Sequence, residues 1–219
     1  MNDIIKEWYE KKDNVTEMGQ WNSNGLKKWE QFVATYFPVK AHILDIGCGM
    51  GREAFALSDM GFSVKGIDIS KEAIEQVTVL SRQNGYDALF AHYDGHHIPF
   101  EENTFDVVII WAQTFGLLYG DEYKQGFLRE CKRVLKNGGL LSFSGHDYEF
   151  QARHYKNCLN GKKFYAYADA DIYWESFYLE ELKTFAEKAG FSVILCEKGV
   201  IYNPADGTIL HCLCENKTK

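Results

Sequence analysis

Three glycines within five residues stand where a buried strand gives way to a helix, in Ile43-Leu44-Asp45-Ile46-Gly47-Cys48-Gly49-Met50-Gly51-Arg52. Glycine suits a turn where a ligand must lie against bare backbone and where φ can become positive. In an open α/β sheet, ligands bind in the crevice beyond the strand carboxyl ends, and the free N–H groups at a helix start favour an anionic group such as a carboxylate. Asp45 reaches that edge on its strand. Asp68 ends the next apolar run, Val64-Lys65-Gly66-Ile67-Asp68-Ile69-Ser70. A carboxylate there can accept hydrogen bonds from both hydroxyls of a ribose. Asp94 ends a third run, Tyr93-Asp94-Gly95-His96-His97-Ile98-Pro99-Phe100, where it suits an adenine amino group. Cys48, Ile69 and Gly95 flank these carboxylates on the same rim. Arg52, at the helix start, either reaches a ligand carboxylate or faces solvent. Trp111 closes a fourth strand, as a site wall or a core aromatic. His146, in Ser144-Gly145-His146-Asp147 beyond a fifth strand, is the best-placed general base. It can equally be a satisfied loop residue.

Placing these groups on one edge requires strands that all run the same way. Residues 42–46, 62–67, 88–93, 105–111 and 140–145 read as short apolar strands. Between them lie amphipathic helices over 53–60, from Ser70, and from Asp121. The last is striped by Tyr123, Phe127, Cys131, Val134 and Leu135 and ends at Asn137-Gly138-Gly139. This alternation implies a parallel sheet covered by helices on both faces. A further helix, striped by Leu179, Leu182, Phe185, Ala186 and Ala189, precedes two strands over 191–197 and 208–215. The joint between them, Asn203-Pro204-Ala205-Asp206-Gly207, is too short for a crossover helix and predicts an antiparallel hairpin. The expected fold is α/β: a doubly wound, mostly parallel seven-stranded sheet with a C-terminal antiparallel hairpin strand. A single domain over 1–219 is expected, with an N-terminal helical segment 1–38 and an aromatic insertion 148–177. The rings of that insertion and those of the N-terminal segment (Trp8, Tyr9, Trp21 and Trp29) read as a mobile lid over the site, as the core of a fixed cap, or as a dimer contact.

Five elements in order carry a family resemblance: the Asp45-x-Gly47-x-Gly49-x-Gly51 loop, Asp68 ending the second strand, Asp94 before Ile98-Pro99-Phe100, Phe105-Asp106 opening the fourth strand, and Leu135-Lys136-Asn137-Gly138-Gly139 after a helix. Together they resemble the class I S-adenosylmethionine (SAM)-dependent methyltransferases, over roughly residues 40–215. The resemblance implies SAM as cofactor, held by Asp45, Gly47, Cys48, Gly49, Gly51, Arg52, Asp68, Ile69, Asp94, Gly95 and Trp111. It also implies methyl transfer to an acceptor. Two other readings remain open: a non-catalytic SAM-binding module, and a nicotinamide dehydrogenase, because Gly49-x-Gly51-x-x-Ala54 fits the dinucleotide pattern. Charge separates SAM from a dinucleotide, since Asp45 would repel a pyrophosphate and attract an ammonium or sulfonium.

The 31 acidic against 24 basic residues, net charge −7, give no help toward a phosphate backbone. The Asn/Asp-Pro-Pro-Tyr/Phe element of amino-group enzymes acting on DNA bases is missing, and Trp111-Ala112-Gln113-Thr114-Phe115-Gly116 stands at its place. A small-molecule acceptor is expected, without nucleic acid or membrane, on a monomer or homodimer. Cys48, Cys131, Cys158, Cys196, Cys212 and Cys214 form no C-x-x-C pair, and in the family's frame His92, His96 and His97 border adenine, so no metal is expected. Free thiols and a polar N-terminus make a cytoplasmic location the expectation.

Overall fold

Aliphatic side chains on successive strand residues point to opposite faces, and this alternation divides the core into two layers. The computed structural model describes residues 2–20, 25–154, 163–166, 172–203 and 207–217. Its strands are β1 (His42–Ile46), β2 (Ser63–Asp68), β3 (Leu89–His92), β4 (Phe105–Ile110), β5 (Leu135–Asp147), β6 (Phe164–Ala166), β7 (Tyr173–Phe177), β8 (Ser192–Val200) and β9 (Thr208–Glu215). Its helices are α1 (Asn2–Tyr9), α2 (Lys12–Gly19), α3 (Lys28–Ala34), α4 (Arg52–Asp59), α5 (Lys71–Gln83), α6 (Asp121–Val134), α7 (Tyr148–His154) and α8 (Leu179–Lys188), with a 3-10 turn at Thr114–Leu117. Leu44, Ile46, Val108, Ile110, Leu141 and Phe143 pack against Phe127, Leu128 and Cys131 of α6 and Leu182 and Ala186 of α8. Ile43, Val107, Ile109 and Trp111 pack against Trp29 and Val33 of α3 and Ala54 and Leu57 of α4. Each fully buried aliphatic side chain stabilises the fold by about 1.5–3 kcal/mol.

The sheet runs β3-β2-β1-β4-β5 in parallel, so the first five strands deliver their carboxyl ends to one edge. β9 then pairs antiparallel with β5, and β8 antiparallel with β9. These seven strands are those expected. Two short strands are added by the 148–177 insertion: β7 joins the carboxyl end of β5 through His146↔Ser176 and Asp147↔Phe177, and β6 pairs with β7. Residues 155–162 and 167–171 of that insertion lie outside the described residues, as do Trp21, Cys158 and the hairpin residues 204–206.

The expected end of α6 is corrected. The helix stops at Val134, and Asn137-Gly138-Gly139 falls inside β5, where the register with β4 shifts. The carbonyls of Lys132, Leu135 and Lys136 are taken by the side-chain amide of Asn216, from beyond β9. A distant side chain thus does what a local glycine cap was expected to do.

The insertion is pinned from below. Lys124 of α6, fully buried, pairs with Glu175 of β7 among the rings of Phe115, Phe177 and Phe185. A Cβ on Gly116 would lie 2.6 Å from the Glu175 carbonyl oxygen, so backbone meets backbone there. Among the described residues no helix is long and apolar enough to cross a membrane. Removing one partner of a buried pair strands the other charge. Lys124→Met should therefore cost about 3–5 kcal/mol in denaturant unfolding, and Lys124→Met with Glu175→Leu should recover most of it. Equal stability of the single variant and the parent would show that the pair does not pin β7.

Candidate cofactor and acceptor site

The parallel strands place a cavity of about 250 Å³ at their carboxyl edge, over Gly47, Gly49, Asp68, Ile69, Asp94 and Gly95. The loop after β1 is shaped by its glycines. Gly47 has φ +75°, and a Cβ on it would come within 2.7 Å of the Thr114 side chain. Gly51 has φ +83° and opens α4, with Phe55 and Val77 within 3 Å of where its Cβ would sit. Asp68 joins two elements: its carboxylate accepts the Gly49 N–H at 2.9 Å and the Ser70 N–H at 2.9 Å. Burial pushes its carboxyl up, and those backbone donors pull it back. Asp94 is exposed and accepts the N–H groups of His96 and His97, which hold its carboxyl below the usual range.

Other expected residues stand further from the cavity. Asp45 is buried beneath the loop and does not line it. Its Oδ2 has no partner among the described residues, and burial, then the Glu53 charge, raises its carboxyl well above the ordinary value. Cys48 lines the cavity, but its side chain packs under the loop with Phe55, Ile74 and Val77. Arg52 lines the cavity with its guanidinium already engaged: it donates to both Glu30 oxygens at 2.8 Å, to the Gly25 carbonyl, and to Glu53. Trp111 does not line the cavity. Its indole N–H donates to Ser142 Oγ at 2.8 Å while its rings stack on Phe37 and meet Trp29 edge-on.

His146 belongs to a polar stripe. Ser142, Ser144 and His146 alternate on one face of β5: Ser142 Oγ takes the Trp111 indole, Ser144 Oγ the Gln113 N–H at 3.4 Å, and His146 Nδ1 lies 3.0 Å from Gln151 Nε2. The imidazole packs 4.9 Å from Trp174, a cavity wall, and its Nε2 is buried without a partner among the described residues. Ala112 and Gln113, beyond β4, both take positive φ, a strained pair where the strand meets the site.

Sequence reasoning expected the aromatic N-terminal segment over the site, but missed Ile5 in that roof and the wall made by Tyr123. Ile5, Trp8 and Tyr9 of α1 close it from above, and Ser70 Oγ donates to the Tyr9 carbonyl at 2.8 Å. Tyr123, read as a core stripe, donates its hydroxyl to the Gly95 carbonyl and meets His96 edge-on. His97 pairs with Glu130 instead. Only the ring-rich composition of the N-terminal segment signalled the roof.

A loop of positive-φ glycines, a carboxylate clamping it to the second strand and a second carboxylate across the cavity, on this strand order, define the class I SAM-dependent methyltransferase fold. The comparisons agree with that fold: residues 43–139 match the family described as a methyltransferase domain. The 2-methyl-6-phytyl-1,4-hydroquinone methyltransferase of Synechocystis sp. is 34% identical over 140 residues, covering 63% of this chain and 39% of that protein. The demethylmenaquinone methyltransferase of Bacillus pumilus is 34% identical over 121 residues, covering 52% and 50%. The chain spans about half the length or less of these relatives. A SAM-dependent methyltransferase structure from Methanosarcina mazei superposes with a TM-score of 0.75 at 20% identity, covering 86% of this chain and 98% of that one.

Burial, with the Lys27 charge second, lowers His146 to about 4 from the ordinary 6.5. The native ring is then neutral between those values, whereas the unfolded chain takes up a proton there. Stability is unaffected above pH 6.5 and falls as pH drops toward 4. Relative to His146→Phe, the wild type should lose about 1–2 kcal/mol between pH 7 and pH 5 in denaturant titrations. A pH-independent difference would show that the ring titrates normally.

Proposed function

We propose that this protein moves a methyl group from SAM to a small-molecule acceptor. The observation that carries the reading is the row of strand-end groups around one cavity: Gly47 and Gly49, Asp68 at the second strand end and Asp94 at the third. The donor set fits the cofactor. Asp68 and Asp94 suit the ribose hydroxyls and the adenine amino group, with Ile69 and Gly95 beside them. At the other end Glu53 lines the cavity, the Arg52 guanidinium is outnumbered by Glu30 and Glu53, and Asp45 lies behind with an orphaned oxygen. Such walls welcome an ammonium and a sulfonium and oppose a pyrophosphate, which disfavours a nicotinamide cofactor. The bound cofactor supplies an already activated methyl carbon. The chain's share is to align an acceptor with that carbon and keep water away.

The names of the relatives support a small molecule, two of them being methyltransferases of hydroquinone or menaquinone type. His146, behind Trp174 and outside the cavity lining, is the candidate general base on the acceptor side. The five described cysteines are all free, which supports a reducing, cytoplasmic setting. The N-terminal helices and the insertion form a shared roof in this reading. Ile5 of α1 packs with Leu117 and Ile172, Trp8 and Trp174 border the same cluster, and Glu10 accepts the Lys71 N–H.

Calorimetry should show binding of SAM and S-adenosylhomocysteine and no binding of NAD. Asp68→Ala should weaken both by roughly 1.5–3 kcal/mol, the range for hydrogen bonds to a charged group. Tight NAD binding without heat from either SAM species would sink the assignment. Turnover is checked by S-adenosylhomocysteine release on addition of a broad metabolite pool, and silence across a wide pool would leave a SAM-binding module as the better description. Hydrogen exchange tests the roof: S-adenosylhomocysteine should slow exchange in residues 2–20 and 172–177 beyond the slowing at the glycine loop. Maximal protection already present without ligand would mean a fixed cap.

A further inference from the structure

Helix α6 holds the segment between β3 and β4 from one side. Tyr123, Glu130 and Arg133 are spaced so that they fall along one face of the helix. Arg133 donates to the Ile98 and Phe100 carbonyls, each at 2.8 Å. Glu130 accepts the Ile98 N–H at 3.2 Å, and its Oε2 lies 2.9 Å from His97 Nδ1. These rungs secure residues 97–100. The turn before them carries Asp94, and α6 reaches it through Tyr123, whose hydroxyl donates to the Gly95 carbonyl and whose ring meets His96 edge-on.

That bond stands at the cavity itself. Tyr123, Asp94, Gly95 and His96 all line it, and Gly95 is buried, so its carbonyl needs a partner within the protein. Burial, with the Asp94 charge second, raises the Tyr123 phenol, so the hydroxyl keeps its proton and donates. Within the turn the His96 and His97 N–H groups both go to Asp94 Oδ1, at 2.8 and 2.9 Å, and keep the carboxyl ionised. An ionised carboxylate only accepts, so Oδ2, left over by those two bonds, rewards an N–H donor and repels an oxygen lone pair. The glycine loop is held separately, by Asp68, so a shifted turn would move Asp94 and leave that end of the cavity in place.

We propose that Tyr123 is a positioning residue for the cofactor's base: from α6 it fixes the Gly95 carbonyl and thereby aims Asp94, so that the site selects an aminopurine over an oxopurine. This deepens the methyltransferase reading and rests on it. Asp94 makes the distinction, and Tyr123 sets how sharply it is made.

Calorimetry should compare S-adenosylhomocysteine with S-inosylhomocysteine, in which an oxygen replaces the amino group of the base, on the wild type and on Tyr123→Phe. The wild type should prefer the amino form by at least about tenfold, as a hydrogen bond to a charged group implies. Tyr123→Phe should narrow that preference by about two- to tenfold, the effect of losing one neutral hydrogen bond. Its affinity for the inosyl form should be unchanged, which shows the fold intact. Without any ligand, exchange of the His96 and His97 amide hydrogens should quicken in the variant while that of Gly49 stays the same. No preference in the wild type, or the same preference in both proteins, would overturn the proposal. So would an equal loss of affinity for both ligands, which a merely structural tyrosine would give. Failure of both ligands to bind the wild type would strike the methyltransferase reading instead. The ligand-free exchange would then still decide whether Tyr123 holds the turn, unchanged rates overturning it.

Discussion

Two backbone N–H groups on one carboxylate connect the parts of this molecule that matter most. Asp68 takes one from Gly49, in the loop after β1, and one from Ser70, which itself caps α5 by accepting the Ala73 N–H. The loop can pass close to the sheet only because its glycines adopt positive φ, and it stays there because a buried carboxylate holds it. The Ser70 hydroxyl then donates to the Tyr9 carbonyl and fixes the roof to the same point. Glycine loop, second strand, helix and N-terminal segment thus share one anchoring group. Burying that carboxylate is tolerable because its charge is met by directed donors.

At the start of α4, on the same rim, the charges are arranged differently. Arg52, Glu30 and Glu53 satisfy one another so fully that the guanidinium acts as a strut between α4 and α3. Its charge is spent inside the protein, which leaves the carboxylates of the cavity to set the local field. The polar stripe of β5 works alike: Ser142 and Ser144 are consumed in tying β5 to the end of β4, and only His146, the last rung, keeps an open hydrogen-bonding position.

The legible parts of the sequence were those fixed by local pattern. Asp68 and Asp94 could be placed because an apolar run must end somewhere, and a parallel sheet makes that end a site edge. The antiparallel hairpin followed from the length of one joint. Arg52 was not legible as a strut, since Gly25 and Glu30 lie more than twenty residues away in sequence. Trp111 turned into the core because Ser142, on the neighbouring strand, offers its indole an acceptor. The Asn137-Gly138-Gly139 turn misled for a similar reason, the true cap coming from Asn216. β6 is three residues long, too short for periodicity to register. Lys124 is invisible to any amphipathic reading, because a buried lysine makes sense only once Glu175 and three phenylalanine rings surround it.

The position of β9 carries a consequence for how the chain reaches this state. The last strand is an interior one, inserted between β5 and β8, and its contacts with β5 join residues some seventy positions apart, as in the Cys214 Sγ–Leu141 carbonyl contact. During synthesis β5 must wait with one edge unpaired until residues 208–215 leave the ribosome. Closing such long loops is slow, and a waiting strand edge of this kind is a template for wrong partners. The same late insertion makes assembly close to all-or-none: His146 finds its row, and α6 its Asn216 cap, only when the final strand is seated. A nascent chain stalled before that point holds the glycine loop in sequence but not the His146 row in space.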